Sequence, residues 1–216
     1  IKMELKSKKG KKCKQCKEVF IPMRPLQFIC SPKCATQYSN IHAKALAKEK
    51  AKEEKKVLTE NLTNWSQKLV VKIQEIARLI DHGQPCLARG VMANQFHGGH
   101  VFSRGSNPQI KYNLHNIHRQ SAQSNHFQND DGLLREGIVK EYGTEYMEFI
   151  SGLRNIQSIK YKNEDYLEFY KIACKVAARL KKDLKPLDRE ERLILRSQVN
   201  LSLGIYPEDY CVYSGN

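Results

Sequence analysis

The chain has no apolar run approaching the roughly 20 residues that a membrane-spanning helix needs, and no apolar region near its start like that of a secretory signal. The first absence excludes a helical integral membrane protein, and the second makes export unexpected. Acidic residues are scarce: 23 Asp and Glu face 37 Lys and Arg, a formal net charge of +14. The deficit is local, because residues 1–60 hold 16 Lys and Arg against 6 Asp and Glu, whereas the remainder holds 21 against 17. Such a segment should neutralise phosphates and release counterions, which gives salt-sensitive, sequence-blind affinity for nucleic acid. Paired cysteines are few. There are seven in all, and they pair clearly in one region only. In a chain without an export signal, Cys-x-x-Cys points to metal rather than to disulfide. No internal repeat is present.

Along the chain, residues 1–12 are Lys-rich and read as disordered. Cys13 and Cys16, then Cys30 and Cys34 after a spacer of thirteen residues, can close a tetrahedral zinc site. Pro22 and Pro25 mark a turn between the pairs, and Ser31 and Pro32 look like the cap and first position of a helix. Val19, Phe20, Phe28 and Ile29 are the expected apolar packing around the metal. Residues 35–56 lack Pro and Gly and predict one long helix. Residues 61–80 predict a second, with Trp65, Leu69, Ile73, Ile76, Ala77 and Ile80 at helical spacing. Residues 84–128 lack helical periodicity and predict two short strands, 96–102 and 116–120, then a short helix over 122–129. Helices over 133–142, 144–150, from Asn163 and from Asp188 follow. The fold class is therefore α+β and mostly helical. The expected divisions are 1–34 (basic tail and four-cysteine zinc knuckle), 35–82 (long helical segment), 83–143 (core) and 144–216 (C-terminal helices).

Five of the seven histidines fall between His97 and His126. With Asn113, Asn116 and Asn125 among them, this stretch reads as a metal-dependent site, and on a basic chain that suggests phosphate chemistry. A neutral imidazole at His100 can accept a proton from water near neutral pH. The glycines before it would allow close approach of a phosphate. His97 is a candidate metal ligand, or else a DNA contact or a surface residue. His118 either completes the ion's sphere or binds phosphate, and His115 and His126 read as peripheral. Lys11, Lys12, Lys14, Arg104 and Arg119 are candidate DNA contacts. Asp130 and Asp131 could supply a carboxylate to the ion, but as a loop pair they read as a solvated turn.

Gly99-His100, then Asn116-Ile117-His118 and Gln120, then Asn125, together with Cys86 and the four-cysteine N-terminus, resemble the NinG/Rap family of lambdoid phage recombination endonucleases. The likeness runs over about residues 11–143, and the family is placed with the HNH, ββα-metal nucleases. The resemblance implies an HNH-like core and a metal-dependent DNA endonuclease that cuts branched double-stranded DNA, Holliday junctions and D-loops, in the bacterial cytoplasm with the nucleoid. It implies His100 as general base, Asn116 as the residue that ties the turn and orients His100 through its backbone carbonyl, and Asn125 as ligand of a catalytic Mg2+ or Mn2+ beside a structural Zn2+ on the four cysteines. A homodimer and host or phage recombination proteins are the partners it allows. One departure stands out. The family's second set of cysteine pairs keeps Cys86 alone, with Arg89, Ser121 and Ser124 in the other places, so no zinc is expected there. That loss leaves open a degenerate protein that only binds branched DNA.

Overall fold

A computed structural model gives the chain as two compact units, 1–63 and 64–216, and describes residues 10–62, 64–126 and 130–215. In the first unit, strands β1 (Lys11–Lys12) and β2 (Val19–Phe20) pair antiparallel, Lys11 opposite Phe20. Lys11 and Lys12 are thus ordered by pairing, contrary to the expected disordered tail, of which residues 1–9 lie outside the described residues. Helix α1 (Pro32–Leu62) follows, capped by the Ser31 hydroxyl, which accepts from the Cys34 amide at 3.3 Å. It outruns the expected 35–56 because nothing between Lys33 and Leu62 breaks it. Val19 (68 % exposed) and Phe28 (46 %) do not form the expected packing. Among residues 10–59, Cys13 is the only buried side chain.

The second unit has an ordinary core. Asn64 caps helix α2 (Trp65–Ile80) by accepting from the Gln67 amide at 3.0 Å. The expected stripe from Leu69 to Ile80 is buried against Ala173, Val176 and Ala177 of α6 (Asn163–Lys182) and against a hairpin. That hairpin pairs β3 (Phe96–His100) with β4 (Ile117–Ser121), His97 opposite Gln120, Gly99 opposite His118 and His100 opposite Ile117. A short helix, α3 (Ala122–His126), leaves β4 directly; residues 127–129 of the expected helix lie outside the described residues. Then come α4 (Asp131–Tyr142), ended by Gly143 at φ 94°, α5 (Thr144–Gly152), α6, and α7 (Arg189–Leu203). The start of α7 is fixed by a capping box: Asp188 accepts from the Glu191 amide at 2.8 Å, and Glu191 accepts from the Asp188 amide at 2.9 Å.

The division at 63/64 differs from the expected 34/35, 82/83 and 143/144. The reason is that α2 buries an apolar stripe on the hairpin and α6, while the side chains of α1 up to residue 59 stay outside any core. Among the described residues no helix is long and apolar enough to cross a membrane.

Candidate active site and metal centre

The four expected cysteines converge. The sulfurs of Cys13, Cys16, Cys30 and Cys34 all lie within 4.8 Å of one another, and among the described residues this is the one group of three or more His, Cys, Asp and Glu side chains close enough together to hold an ion. The turn after Cys16 places Lys17 in the left-handed region at φ 67°. The Cys30 amide donates to the Cys13 sulfur at 3.4 Å. Burial pushes the Cys13 thiol up, but the amides of Cys16, Cys30 and Gln15 outweigh it and bring it down to about 6. At Cys30 the Ser31 hydroxyl favours the thiolate, yet Cys34 beside it and burial outweigh that and push the thiol up to about 12. One thiolate forms readily and its neighbours resist sharing the space, a conflict that a divalent cation would remove.

The histidine-rich stretch separates into two groups. Cross-strand partners share a face, so His97, Gly99, His118 and Gln120 lie on one side of the hairpin and Phe96, Gly98, His100, Ile117 and Arg119 on the other. Gly98 lies against α2: a Cβ there would come within 2.9 Å of Gln74 Cα and O, and Gln74 Nε2 donates to Gly98 O at 3.0 Å. A Cβ on Gly99 would collide with the Gln120 amide. The glycines serve packing, not the phosphate approach expected of them.

His97 meets Asn125 from α3, with Asn125 Nδ2 and His97 Nδ1 3.4 Å apart and both residues half-buried. His100, on the opposite face, is also half-buried. Its Nε2 sits 3.0 Å from Lys111 O, so Nε2–H donates there and Nδ1 keeps its lone pair. Burial lowers its pKa, the Arg104 charge adding to this and the Lys111 carbonyl opposing it, so the ring is neutral at pH 7. Asn116 is buried: its side chain accepts from Phe102 N at 2.9 Å and donates to Phe102 O at 3.1 Å. Its backbone carbonyl accepts from Val101 N at 2.9 Å. The carbonyl that holds the His100 ring is that of Lys111. His100 and Asn125 therefore sit on opposite sides of β3, and the amide meets His97 instead.

His115 and His118 are fully buried. His115 Nδ1 lies 3.0 Å from the Tyr146 hydroxyl and Nε2 3.0 Å from Cys211 O. It is not peripheral. His118 Nε2 lies 3.0 Å from His115 O, and Arg196 Nη2 approaches Nδ1 at 3.1 Å. With both ring nitrogens engaged, His118 is a strut of the core. Arg196 Nη2 reaches both Asp81 carboxylate oxygens at 2.7 Å, and Arg192 Nε donates to the Tyr142 hydroxyl at 3.0 Å. Arg119 belongs to the same network: its amide donates to Asp81 Oδ2 at 2.9 Å, Nη1 donates to Asp81 O at 2.8 Å, and its guanidinium lies 3.4 Å from the centre of the Phe96 ring. It is 9 % exposed, which removes it from the open surface that a phosphate contact needs. Lys11, Lys12, Lys14 and Arg104 are exposed. The network could have been suspected from α7, where Arg192 and Arg196 share the stripe of Val199 and Leu203.

Burial, aided by the Arg196 charge, holds the His115 pKa down to about 3, and the same causes hold His118 well below its ordinary value. An unfolded imidazole binds its proton near pH 6.5. Between those limits the unfolded chain carries more protons, so stability is complete above about pH 6.5 and is lost as pH falls toward 3. Thermal melts from pH 7.5 to 4 should show a steady fall, each histidine withdrawing about 1.4 kcal/mol per pH unit in that window. A melting temperature flat down to pH 4.5 would refute the buried neutral histidines.

Cys86, Arg89, Ser121 and Ser124 are tied together by hydrogen bonds and, through Asp130, by an ion pair. Ser121 N donates to the Cys86 sulfur at 3.2 Å, Ser124 N donates to Ser121 Oγ at 3.1 Å, and the Ser124 hydroxyl donates to Asp130 at 2.7 Å. Arg89 grips the Asp130 carboxylate through Nε at 2.6 Å and Nη2 at 3.0 Å. The Arg89 and Ser124 bonds hold Asp130 below the usual carboxylate range. Asp130 is buried, not part of a solvated turn. An ion pair and two hydroxyls thus link the loop before β3, the end of β4 and the start of α4.

Comparison with known proteins adds one finding. A family model described as Bacteriophage Lambda NinG protein matches residues 5–190. No curated protein and no solved structure matches the chain.

Proposed function

We propose, given that this chain belongs to the bacteriophage lambda NinG family, that it is a structure-directed DNA endonuclease of phage recombination. It would cut Holliday junctions and D-loops by metal-assisted phosphodiester hydrolysis. The observation that supports this best is the state of His100. It is neutral, its Nε2–H is committed to Lys111 O, and its Nδ1 lone pair can take a proton from an attacking water. Asn116 clamps the chain directly after it.

His97 and Asn125 offer an imidazole nitrogen and, on rotation of the amide, a carbonyl oxygen. That pair suits an open Mn2+ or Mg2+ site whose remaining places DNA oxygens and water would fill. Such an ion would supply charge relief at the phosphorus and the leaving oxygen. The four cysteines would hold Zn2+, and Lys11, Lys12, Lys14 and Arg104 are placed to neutralise phosphates. A two-fold junction suits a dimer of this chain. Host or phage recombination proteins in the bacterial cytoplasm, with the nucleoid, complete the setting of this reading.

A second reading has its own support. His100 lies across β3 from the His97–Asn125 pair, and Asn125 turns its amide nitrogen, not its oxygen, toward the His97 ring. A protein that binds branched DNA without cutting it would tolerate both features. His100→Ala separates the two. Under the nuclease reading, single-turnover cutting of a four-way junction falls by about 10²–10⁴, while the junction Kd stays within twofold. Equal cutting by the variant removes His100 from the chemistry.

A further inference from the structure

The guanidinium of Arg135, on α4, lies 5.2 Å from the centre of the Phe102 ring, and that of Arg154, in the turn Leu153–Asn155 after α5, lies 4.8 Å from it. The ring is a fixed platform. Phe102 is buried with Ile110, Leu134 and Ile138, and the Asn116 side chain bonds both its amide and its carbonyl. Arg154 is anchored too, its carbonyl accepting from Gln109 Nε2 at 2.8 Å. Both arginines are exposed. Among the described residues neither guanidinium makes an ion pair or donates a hydrogen bond, and Asp131, one turn before Arg135 on α4, is not paired with it.

Sharing one ring puts the two charges within about 10 Å of each other, a Debye length at 0.1 M salt, so they repel. The ring attracts each of them, and a guanidinium held in this way keeps its N–H donors for another partner. Phe102 lies two residues beyond His100. Arg104 lies two further, is exposed, and its charge reaches the His100 ring. Donors of this kind suit oxyanions. One strand of DNA carries a phosphate about every 3.4 Å of helix axis, so a span of about 10 Å holds two or three of them. A lone carboxylate would answer only one of these charges. We propose that Arg135 and Arg154 hold adjacent phosphates of the strand that passes His100, with Arg104 as a third contact beside the imidazole, an inference that rests on the nuclease reading for the role of His100. The Phe102 ring sets the spacing of the two cations. Through Asn116 it is tied to the hairpin that carries His100, so the gripped phosphates sit at a fixed offset from the proton acceptor.

The test uses the zinc-loaded full chain without Mg2+ or Mn2+ and a fluorescein-labelled four-way junction, with affinity read by anisotropy from about 50 to 200 mM salt, where phosphate contacts show most clearly. Arg135→Gln and Arg154→Gln should each flatten the plot of log Kd against log salt by about 1, and the double variant by about 2. Lysine at both positions should restore the slope, because a phosphate needs the charge. Lys175→Gln with Lys182→Gln removes the same charge from exposed positions on α6 and should leave the slope unchanged. Location is read with junctions that carry a neutral methylphosphonate at one link at a time. Some link near the branch point should weaken binding to the unaltered protein, and that penalty should vanish in Arg135→Gln or Arg154→Gln. A double variant with the parental slope, or an equal flattening in the lysine control, overturns the proposal. If junction cutting in Mg2+ or Mn2+ persists in that case, the nuclease reading survives without the arginine pair. If the slope falls as expected and no protein cuts, the phosphate grip survives without the nuclease.

Discussion

Stripping zinc will unfold residues 13–34 while the thermal transition of the 64–216 core persists. Among its described residues the first unit has little else to hold its shape. Cys13 is its only buried side chain between residues 10 and 59, its two strands are two residues each, and Met23 (87 % exposed) and Leu26 (90 %) contribute nothing to a core. A chain segment of this size cannot offset its conformational entropy by so little burial. Structural zinc contributes an apparent 10–16 kcal/mol or so at neutral pH, enough to fold such a knuckle by itself. We expect one zinc per chain and, on chelation, collapse of amide dispersion for residues 13–34 with proteolysis inside that segment. Cys13→Ser should do the most damage, because it removes the sulfur that is both buried and bonded by the Cys30 amide. Unchanged amide dispersion in metal-free protein would refute a zinc-held fold.

Asp81→Ala will cost the second unit about 3–5 kcal/mol, the range seen when one partner of a buried ion pair is removed. Asp81 is 3 % exposed and Arg196 is not exposed at all. Both carboxylate oxygens accept from Arg196 at 2.7 Å, and one also accepts the Arg119 amide at 2.9 Å. Removal leaves a guanidinium in the interior with His118 and the Leu114 carbonyl as its remaining partners, and it strands an amide of β4. The loss should appear as a lower urea midpoint at unchanged slope. The paired replacement Asp81→Leu with Arg196→Met should recover much of the loss, because no charge is then buried alone. A single variant that melts within a degree of the parent would show that the network does not carry this core.

The sequence made some of this legible. The four cysteines could be read because zinc ligation is local in chain spacing, and the α2 stripe because apolar periodicity is local too. Asp188 and Gly143 were readable as helix boundaries for the same reason. The histidine cluster was misleading because its meaning is set at long range. His118 looks like a ligand in its own segment, but the partner at its Nδ1 is Arg196, and His115 is completed by Tyr146 and Cys211. Nothing near residue 115 announces those groups. Gly98 is similar: it suggests a phosphate approach until α2 is found against it. Asp130 reads as a turn residue until Arg89 grips it. The separation of His100 from Asn125 follows from strand alternation, and became visible only once the register of β3 on β4 was known.

The most direct measurement is product mapping on a synthetic four-way junction incubated with the zinc-loaded full chain in Mg2+ or Mn2+, beside a linear duplex of the same sequence. The nuclease account predicts discrete nicks near the branch point that depend on the added ion and are absent from the linear control. Junctions that are bound yet remain intact in both ions would contradict it and leave a DNA-holding protein.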